Sequence, residues 1–382
     1  MNILEKNKKC TGCLACVDSC PTNALTVSQN KDGFYVPALS SDKCIDCGKC
    51  VKVCPPLNMQ EFILSPQCYY GWNKDEKARE TSSSGGIFSA FANAVLAQGG
   101  VVFGASYADD FKTVEITSTE CVDLEKLKVS KYVQSNAVGA YRKMGEFLKA
   151  GRKVLFVGAP CQCAGAKSLL GENENLYIVD FLCGGFASPT AFTDYVNWLE
   201  SKYKAKIVYM NFRHKKKGWT LSGMKVNFAN KKSYYSDWQY DPYYYYYYNT
   251  PYSKNECCMD CDFRVNRYAD ITIADFWGFR KLKIKLDEKG TSLIVSHNEK
   301  GAKLIEDCKD FLELFPLTSE QGSYDFIRKP KTEKQLKERR EFLDEVNANG
   351  FINTAKRHAY KGGKFGVFCR KVKSRLFKII KR

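Results

Sequence analysis

Cys10-Thr11-Gly12-Cys13-Leu14-Ala15-Cys16-Val17-Asp18-Ser19-Cys20-Pro21 decides the front of the chain, because its spacing returns as Cys44-Ile45-Asp46-Cys47-Gly48-Lys49-Cys50-Val51-Lys52-Val53-Cys54-Pro55, with every sulfur displaced by 34 positions. One cluster-binding unit is repeated. In a Cys-x2-Cys-x2-Cys-x3-Cys-Pro run the first three sulfurs wrap corners of one 4Fe-4S cubane, and the fourth, beginning a short helix, reaches the other cluster. One ligand set is therefore Cys10, Cys13, Cys16 and Cys54, and the other is Cys44, Cys47, Cys50 and Cys20. The crossed fourth ligands tie both halves into a small ferredoxin-like fold. Gly12 and Gly48 are expected to relieve crowding beside the metal, and Pro21 and Pro55 to turn the chain outward with no amide to satisfy. A lone Cys-x2-Cys also suits zinc. The doubled triple spacing favours clusters, and the three histidines, His214, His297 and His358, offer no mixed Cys/His site. Two adjacent one-electron centres make a wire, which needs something to connect.

Working outward, 382 residues with 44% apolar side chains suffice for two or three domains with a substantial core. The 18 cysteines would suggest disulfides in a small secreted protein. Here the chain is large, eight of them fall in the two metal-ligand runs, and no apolar segment resembles a signal sequence or a membrane span, so thiolate ligation in the cytoplasm is the expectation. The formal charge of +17 could suggest nucleic acid, but eleven of the basic residues lie between Lys356 and Arg382, where there is no acid. Phe365, Phe368, Val372, Leu376 and Ile379 share a helical face there, with Arg370, Lys371, Lys373, Arg375 and Lys378 largely on other faces. That pattern fits a basic amphipathic helix at the inner face of a membrane, on an acidic partner, or packed on its own domain. Nucleic-acid binding would rest only on basicity and tyrosines and is not expected.

Beyond about Gln67 the pattern becomes alternating apolar strands and amphipathic helices, which argues an α/β or α+β body. A helix is expected over Gly86 to Gln98, strands over Val101 to Ala105, Lys153 to Val157 and Leu176 to Phe181, and helices from after Gly158-Ala159-Pro160-Cys161-Gln162 through Leu169 and from Pro189 to about Lys202. Thr81-Ser82-Ser83-Ser84-Gly85-Gly86 leads into a helix N-terminus of the kind that receives phosphate, although such loops commonly do no more than cap. Neither Gly-x-Gly-x-x-Gly nor a Walker loop occurs. Cys161, Cys183, Cys258 and Cys261 lie in loop-like positions, the first two at the ends of successive strands. They read equally as a third cubane site or as small apolar core residues. Cys68, Cys121, Cys163, Cys257, Cys308 and Cys369 show no partner pattern and read as core or incidental residues, although Cys163 and Cys257 could substitute for their neighbours. Tyr243 to Tyr248 is expected to pack rather than to stack on a ligand. His214-Lys215-Lys216-Lys217 reads as a solvated basic turn that could meet an acidic partner, and Thr332 to Asn347 as a charged, exposed helix.

Ser83-Ser84-Gly85-Gly86, Ser130-Lys131-Tyr132-Val133-Gln134-Ser135, Gly158-Ala159-Pro160-Cys161-Gln162, Asp180-Phe181-Leu182-Cys183-Gly184-Gly185, Phe212-Arg213, Gly218-Trp219, Cys258-x2-Cys261 and Asp270-Ile271-Thr272-Ile273-Ala274-Asp275-Phe276-Trp277-Gly278 follow one another in order. At these residues the chain resembles the beta-subunit family of coenzyme F420 hydrogenases and dehydrogenases, with a dicluster ferredoxin domain fused in front. The resemblance covers most of residues 1 to 280. With the basic helical tail read above, placed at 348–382, it implies an α+β protein in three parts, the first two being a ferredoxin-like domain at 1–62 and an α/β domain binding FAD and iron-sulfur at 63–347. It implies that Ser83, Ser84, Gly85, Gly86, Lys131, Tyr132, Gln134 and Ser135 line the FAD site, and that Cys161, Cys183, Cys258 and Cys261 hold a core 4Fe-4S cluster. The activity implied is an iron-sulfur flavoprotein oxidoreductase that passes electrons between a ferredoxin or other redox partner and a small organic hydride acceptor or donor. Cys183-Gly184-Gly185 stands where relatives have Cys-His-Gly, so no proton-relay histidine carries over, and Ala274-Asp275 replaces the usual Gly-Asp. The alternative is a non-catalytic electron-relay subunit of a larger redox complex.

Overall fold

The computed structural model describes Ile3 and residues 9–60, 66–121, 123–250, 252–284, 287–323 and 331–358. The amphipathic face expected at Phe365 to Ile379, and Cys369, lie outside the described residues.

Between the two cysteine runs, strands β1 (Leu25–Gln29) and β2 (Tyr35–Leu39) pair as an antiparallel hairpin. Asn30 closes its turn by accepting the amides of Asp32 and Phe34 on Oδ1, and Gly33 supplies a positive φ there. The runs themselves form short helices, Ala15–Ser19 and Lys49–Lys52, each entered through a left-handed residue. Those residues are Leu14 (φ 66°) and Gly48 (φ 70°).

The body is built on a mixed sheet. Its strands are β3 (Gln67–Asn73), β4 (Val101–Tyr107), β5 (Val114–Thr119), β6 (Val154–Gly158) and β7 (Leu176–Phe181). After β8 (Ile207–His214), β9 (Gly223–Phe228) and β10 (Ser233–Asp237), which make a separate antiparallel sheet, come β11 (Ile271–Asp275), β12 (Ser292–Ser296) and β13 (Leu312–Leu317). The large sheet runs β13-β3-β12-β11-β7-β6-β4-β5. Its centre, β4, β6, β7 and β11, is parallel, and antiparallel strands flank it on both sides. The near-continuous Val/Leu/Ile/Phe content of β6 and β7 is what a strand covered on both faces requires.

Parallel strands put their carboxyl ends on one side, and open α/β sheets present chemistry there. The turn after β6 starts the helix Pro160–Leu170, that after β7 carries Cys183, and that after β11 carries Phe276. Helix Pro189–Tyr203 starts where Ser188 accepts the Ala191 amide ahead of Pro189. The tyrosine run forms the helix Pro242–Asn249, capped by Asp241, and Tyr243, Tyr244, Tyr246 and Tyr247 are buried in one core with Phe192, Phe212 and Phe351. It packs, as expected.

The charged segment forms the helix Glu333–Asn349, opened by a Thr332/Gln335 capping box. It is not exposed all round: Arg339, Phe342, Leu343 and Val346 are buried. The sequence obscures this because the apolar positions are few and a buried arginine holds the fourth.

Candidate iron-sulfur centres and a neighbouring aromatic pocket

Cys16 sits among Cys13, Cys10, Cys54 and Cys50: burial raises its thiol first, and repulsion from those four thiols adds to it in that order. The ligand set expected from the crossed pattern, Cys10, Cys13, Cys16 and Cys54, is thus together, with Cys20 and Cys50 of the second set packed beside it. Burial also pushes Cys13 up to about 11. The other set lines a single cavity, where Cys20, Cys44, Cys47 and Cys50 meet Leu25, Leu39, Ile45 and Gly48. The Ala24 amide donates to Cys20 Sγ at 3.2 Å. Amide-to-sulfur bonds of this kind are among the protein's means of setting a cluster potential.

The expected crowding at Gly12 and Gly48 takes a different form in each. A Cβ on Gly12 would lie 2.3 Å from both Tyr35 O and Gln134 Nε2, so the close approach is to the hairpin and the body. Nothing lies within 4 Å of the corresponding position at Gly48, whose positive φ is its reason for being glycine.

In the body, burial raises Cys161, and repulsion from Cys261, Cys13, Cys183 and Cys258 adds to it. All four body cysteines singled out in the sequence therefore converge, and Cys13 of the front domain stands with them. Burial puts Cys183 at about 11 and Cys261 at about 12. Gly185 fits between them and the chain because a Cβ there would lie 3.0 Å from Cys258 Cβ, and its amide donates to Cys183 Sγ at 3.3 Å. Cys257 joins the group, with its sulfur 4.0 Å from that of Cys258. Ala159, Ala164, Phe186, Phe263 and Tyr268 form the apolar wall. Among the described residues no three His, Cys, Asp or Glu side chains are grouped as the ligands of one ion would be. Cys68, Cys163 and Cys308 are buried in the core, and Cys121 is exposed.

The residues expected around a flavin fall in two places. Ser83 and Ser84 lie at the body's far side: Ser83 Oγ accepts from Ser130 N at 2.8 Å and from Ser130 Oγ at 3.1 Å, and Ser84 Oγ donates to Thr291 O at 2.9 Å. Gly85 presses on β3, where a Cβ would meet Gly71 O at 2.7 Å, and Gly86 (φ 84°) opens the helix Ile87–Leu96 with no side-chain cap. Lys131 Nζ donates to Lys126 O and Lys128 O, and burial holds it down at about 7. Tyr132 stacks on Tyr247 at 4.4 Å and receives an Arg213 hydrogen bond at 3.4 Å. Gln134 and Ser135 are elsewhere, at the seam with the front domain. Gln134 accepts the Tyr35 amide at 2.7 Å and donates to Tyr35 O at 3.1 Å, while Ser135 Oγ accepts from Gln162.

Beside Ser84 lies a cavity of ≈ 320 Å³ walled by Tyr70, Trp72, Trp219, Phe276, Phe279, Ile284, Asp287 and Thr291. Pockets that take small molecules have this make-up, mostly apolar and aromatic with a few polar groups. Tyr70 stacks on Phe276 at 5.1 Å, Trp219 on Trp277 at 4.8 Å, and Arg79 lies 4.6 Å over Trp72 while paired with Asp287 at 2.7 Å. Lys215, read as part of a solvated turn, bends inward instead and donates to Arg79 O, Ser84 O and Lys289 O. Burial, then Arg213, lowers it to about 7. Lys216 and Lys217 stay exposed.

Residues 9–57 match the 4Fe-4S dicluster domain, and residues 68–141 and 151–320 match the N-terminal and C-terminal domains of the coenzyme F420 hydrogenase/dehydrogenase beta subunit. The chain belongs to that beta-subunit family. Its front is also similar to the polyferredoxin protein MvhB of Methanothermobacter marburgensis, 44% identical over 54 residues, which are 12% of this chain and 13% of that protein. A polyferredoxin-like subunit of an aliphatic sulfonate oxidoreductase from Pyrococcus furiosus is 52% identical over 40 residues, 10% of this chain and 21% of that one. The chain thus spans about an eighth and about a fifth of these two relatives. A chain of the F420-reducing [NiFe] hydrogenase complex from Methanosarcina barkeri superposes with a TM-score of 0.46 at 15% identity, over 79% of this chain and 94% of that one.

Membership accounts for an iron-sulfur redox role related to hydrogenase and dehydrogenase subunits. No described helix is long and apolar enough to cross a membrane. Sequence reasoning missed the aromatic pocket and the inward turn of Lys215. Trp219 and Phe276 stand in recognisable motifs, and Phe279 follows Phe276 in the same turn, but Tyr70 and Trp72 reach the pocket only through pairing of β3 with β12 and β13, which no local pattern announces.

Proposed function

We propose that this chain is an iron-sulfur flavoprotein subunit that carries electrons between a redox partner protein and an organic hydride donor or acceptor. The observation that carries the reading is the meeting of Cys161, Cys183, Cys258 and Cys261 in one apolar-walled group with Cys13 beside them, which is the number of thiolates a third cubane would take. A relay module merely attached to an inert body has no need of that meeting. When bound, the clusters supply one-electron steps and FAD supplies the two-electron hydride exchange that the clusters cannot.

The chain's residues fit such a flavin at the Ser83 to Gly86 side. Lys131 and Lys215 are partly buried ammonium groups that donate to backbone carbonyls, and Arg213, although paired with Asp275 at 2.8 Å, keeps its Nε buried without a partner among the described residues. Buried cations held this way are stabilised by an arriving anion, which a pyrophosphate supplies. The uncapped start of the helix Ile87–Leu96 adds its amides and its positive dipole end. Tyr70, Trp72, Trp219 and Phe276 offer flat apolar faces for a planar ring and exclude water from it. The aromatic group also contains Leu182, next in sequence to Cys183, so the pocket and the body thiolates are neighbours.

Anaerobic purification followed by acid release of flavin tests the reading. About one FAD per chain, bleached by a low-potential donor and reoxidised by an organic acceptor, supports it. Iron-replete protein that contains no flavin, and takes none up from added FAD, leaves the relay-subunit alternative.

A further inference from the structure

Cys13 and Cys161 are brought together by one helix, Ala140–Lys149, whose first turn is held by the front domain. Asp18, which lies two residues after Cys16 and is buried, accepts the amides of Gly139 at 2.7 Å, Tyr141 at 3.1 Å and Arg142 at 3.3 Å. Arg142 answers by donating to Asp18 O at 2.8 Å and Val17 O at 3.0 Å. Between these ties stands Tyr141, fully buried with its ring edge-on to Phe156. Its hydroxyl donates to Cys13 O at 2.8 Å and points also at Gln162 O, 3.4 Å away. Those carbonyls belong to a ligand of the front set and to the residue after a ligand of the body set.

We infer that Tyr141 is the positioning residue of the front-to-body electron step, fixing Cys13 against the Cys161 turn through a hydroxyl shared by both backbones. The inference rests on the three-cluster reading above. Cys10, Cys13, Cys16 and Cys54 would hold the group that gives up one electron, and Cys161, Cys183, Cys258 and Cys261 the group that would accept it. The ultimate reductant is a low-potential one-electron donor. No proton moves at Tyr141: its single hydroxyl proton faces two carbonyls, neither of which takes it. Independent geometry shows how tight the seam is. A Cβ on Gly165 would lie 3.1 Å from Ala15 Cβ, 3.3 Å from Cys13 Sγ and 3.5 Å from the Tyr141 hydroxyl oxygen.

The test uses the full chain, purified anaerobically, with Tyr141→Phe to delete the hydroxyl and Gly165→Ala to wedge the same seam. Iron content, melting temperature and the spin-spin broadening between reduced clusters are measured alongside the rate of electron transfer after rapid reduction. The expected result for Tyr141→Phe is unchanged iron, a melting temperature lowered by a few degrees for the lost buried hydrogen bond, weaker broadening, and transfer slowed roughly tenfold, the usual scale for loss of a group supporting a metal ligand. Gly165→Ala should change broadening and rate in the same direction. In the unsubstituted protein the rate should be equal in light and heavy water, which needs no variant to fold. Unchanged broadening and rate in Tyr141→Phe with full iron would overturn the role of Tyr141 alone, as would a solvent isotope effect of several-fold. Unsubstituted protein holding only the front clusters would overturn the three-cluster reading, and this inference with it.

Discussion

Cys13, Cys16 and Cys54 are buried and Cys10 half-buried, whereas Cys20, Cys44 and Cys50 are half-buried and Cys47 is exposed, although the two runs that supply them share one spacing. The first run lies under the body, with Asp18 and Arg142 locking it to the helix Ala140–Lys149. The second faces out, its Ile45 64% exposed and its Lys43, Lys49 and Lys52 at the surface. A repeat fixes how many sulfurs are presented. What packs around each copy differs, and under the proposed function the outer set would meet the redox partner and the inner set would pass electrons inward.

The largest effect should come from cutting the inward route. Cys161→Ser is expected to slow electron delivery from the front domain to an organic acceptor by roughly a hundredfold, at the upper end for a perturbed metal site, in stopped-flow measurements. A near-normal rate would mean that the inner and outer sets serve the same partner and that the body is a bystander. Next in size is the response to oxidant. On slow addition of ferricyanide the outer set, at Cys47, should lose its iron first and the inner set later, as two phases in iron release, because exposure governs access. A single phase would break the contrast.

Arg340 donates twice to Asp32 of the hairpin, at 2.9 and 2.6 Å, and so fastens the front domain to the helix Glu333–Asn349. Arg340→Ala should cost about 2 kcal/mol in global stability, the scale of charge-assisted hydrogen bonds to a buried carboxylate. Thermal unfolding checks it, and faster hydrogen exchange in β1 and β2 would locate the loosening.

The smallest effect concerns pH. Burial lowers Lys131 and Lys215 to about 7 from 10.5, so between those values the unfolded chain binds protons that the folded chain does not. These lysines therefore reduce stability progressively as pH falls through that window, and the reduction is complete below about 7. An anion that restores their charge takes up protons as it binds. Calorimetry in buffers of differing ionisation enthalpy should show proton uptake by added FAD, with tighter binding at about pH 7 than at about pH 10. Binding without uptake would remove the two lysines from the site.

Much of this was legible in the residues. The run spacing identified the dicluster domain, because cubane ligation demands sulfurs at fixed short intervals, and Leu176 to Phe181 came out as a strand of the same length. The end of one helix shifted by a single residue, from about Lys202 to Tyr203. Long-range pairing was beyond reach. Neither the crossing of Gln134 to Tyr35 nor the burial of Arg339 leaves a local signature, since each depends on segments far apart in the chain. Lys215 shows the same limit: beside Lys216 and Lys217 it reads as solvated, and only the fold turns it inward.

Iron counted per chain in anaerobically purified protein, side by side with Cys161→Ser, tests the central claim most directly. Three cubanes predict about twelve irons for the unsubstituted chain and about eight for the variant. About eight in both would contradict a third thiolate-held cluster in the body.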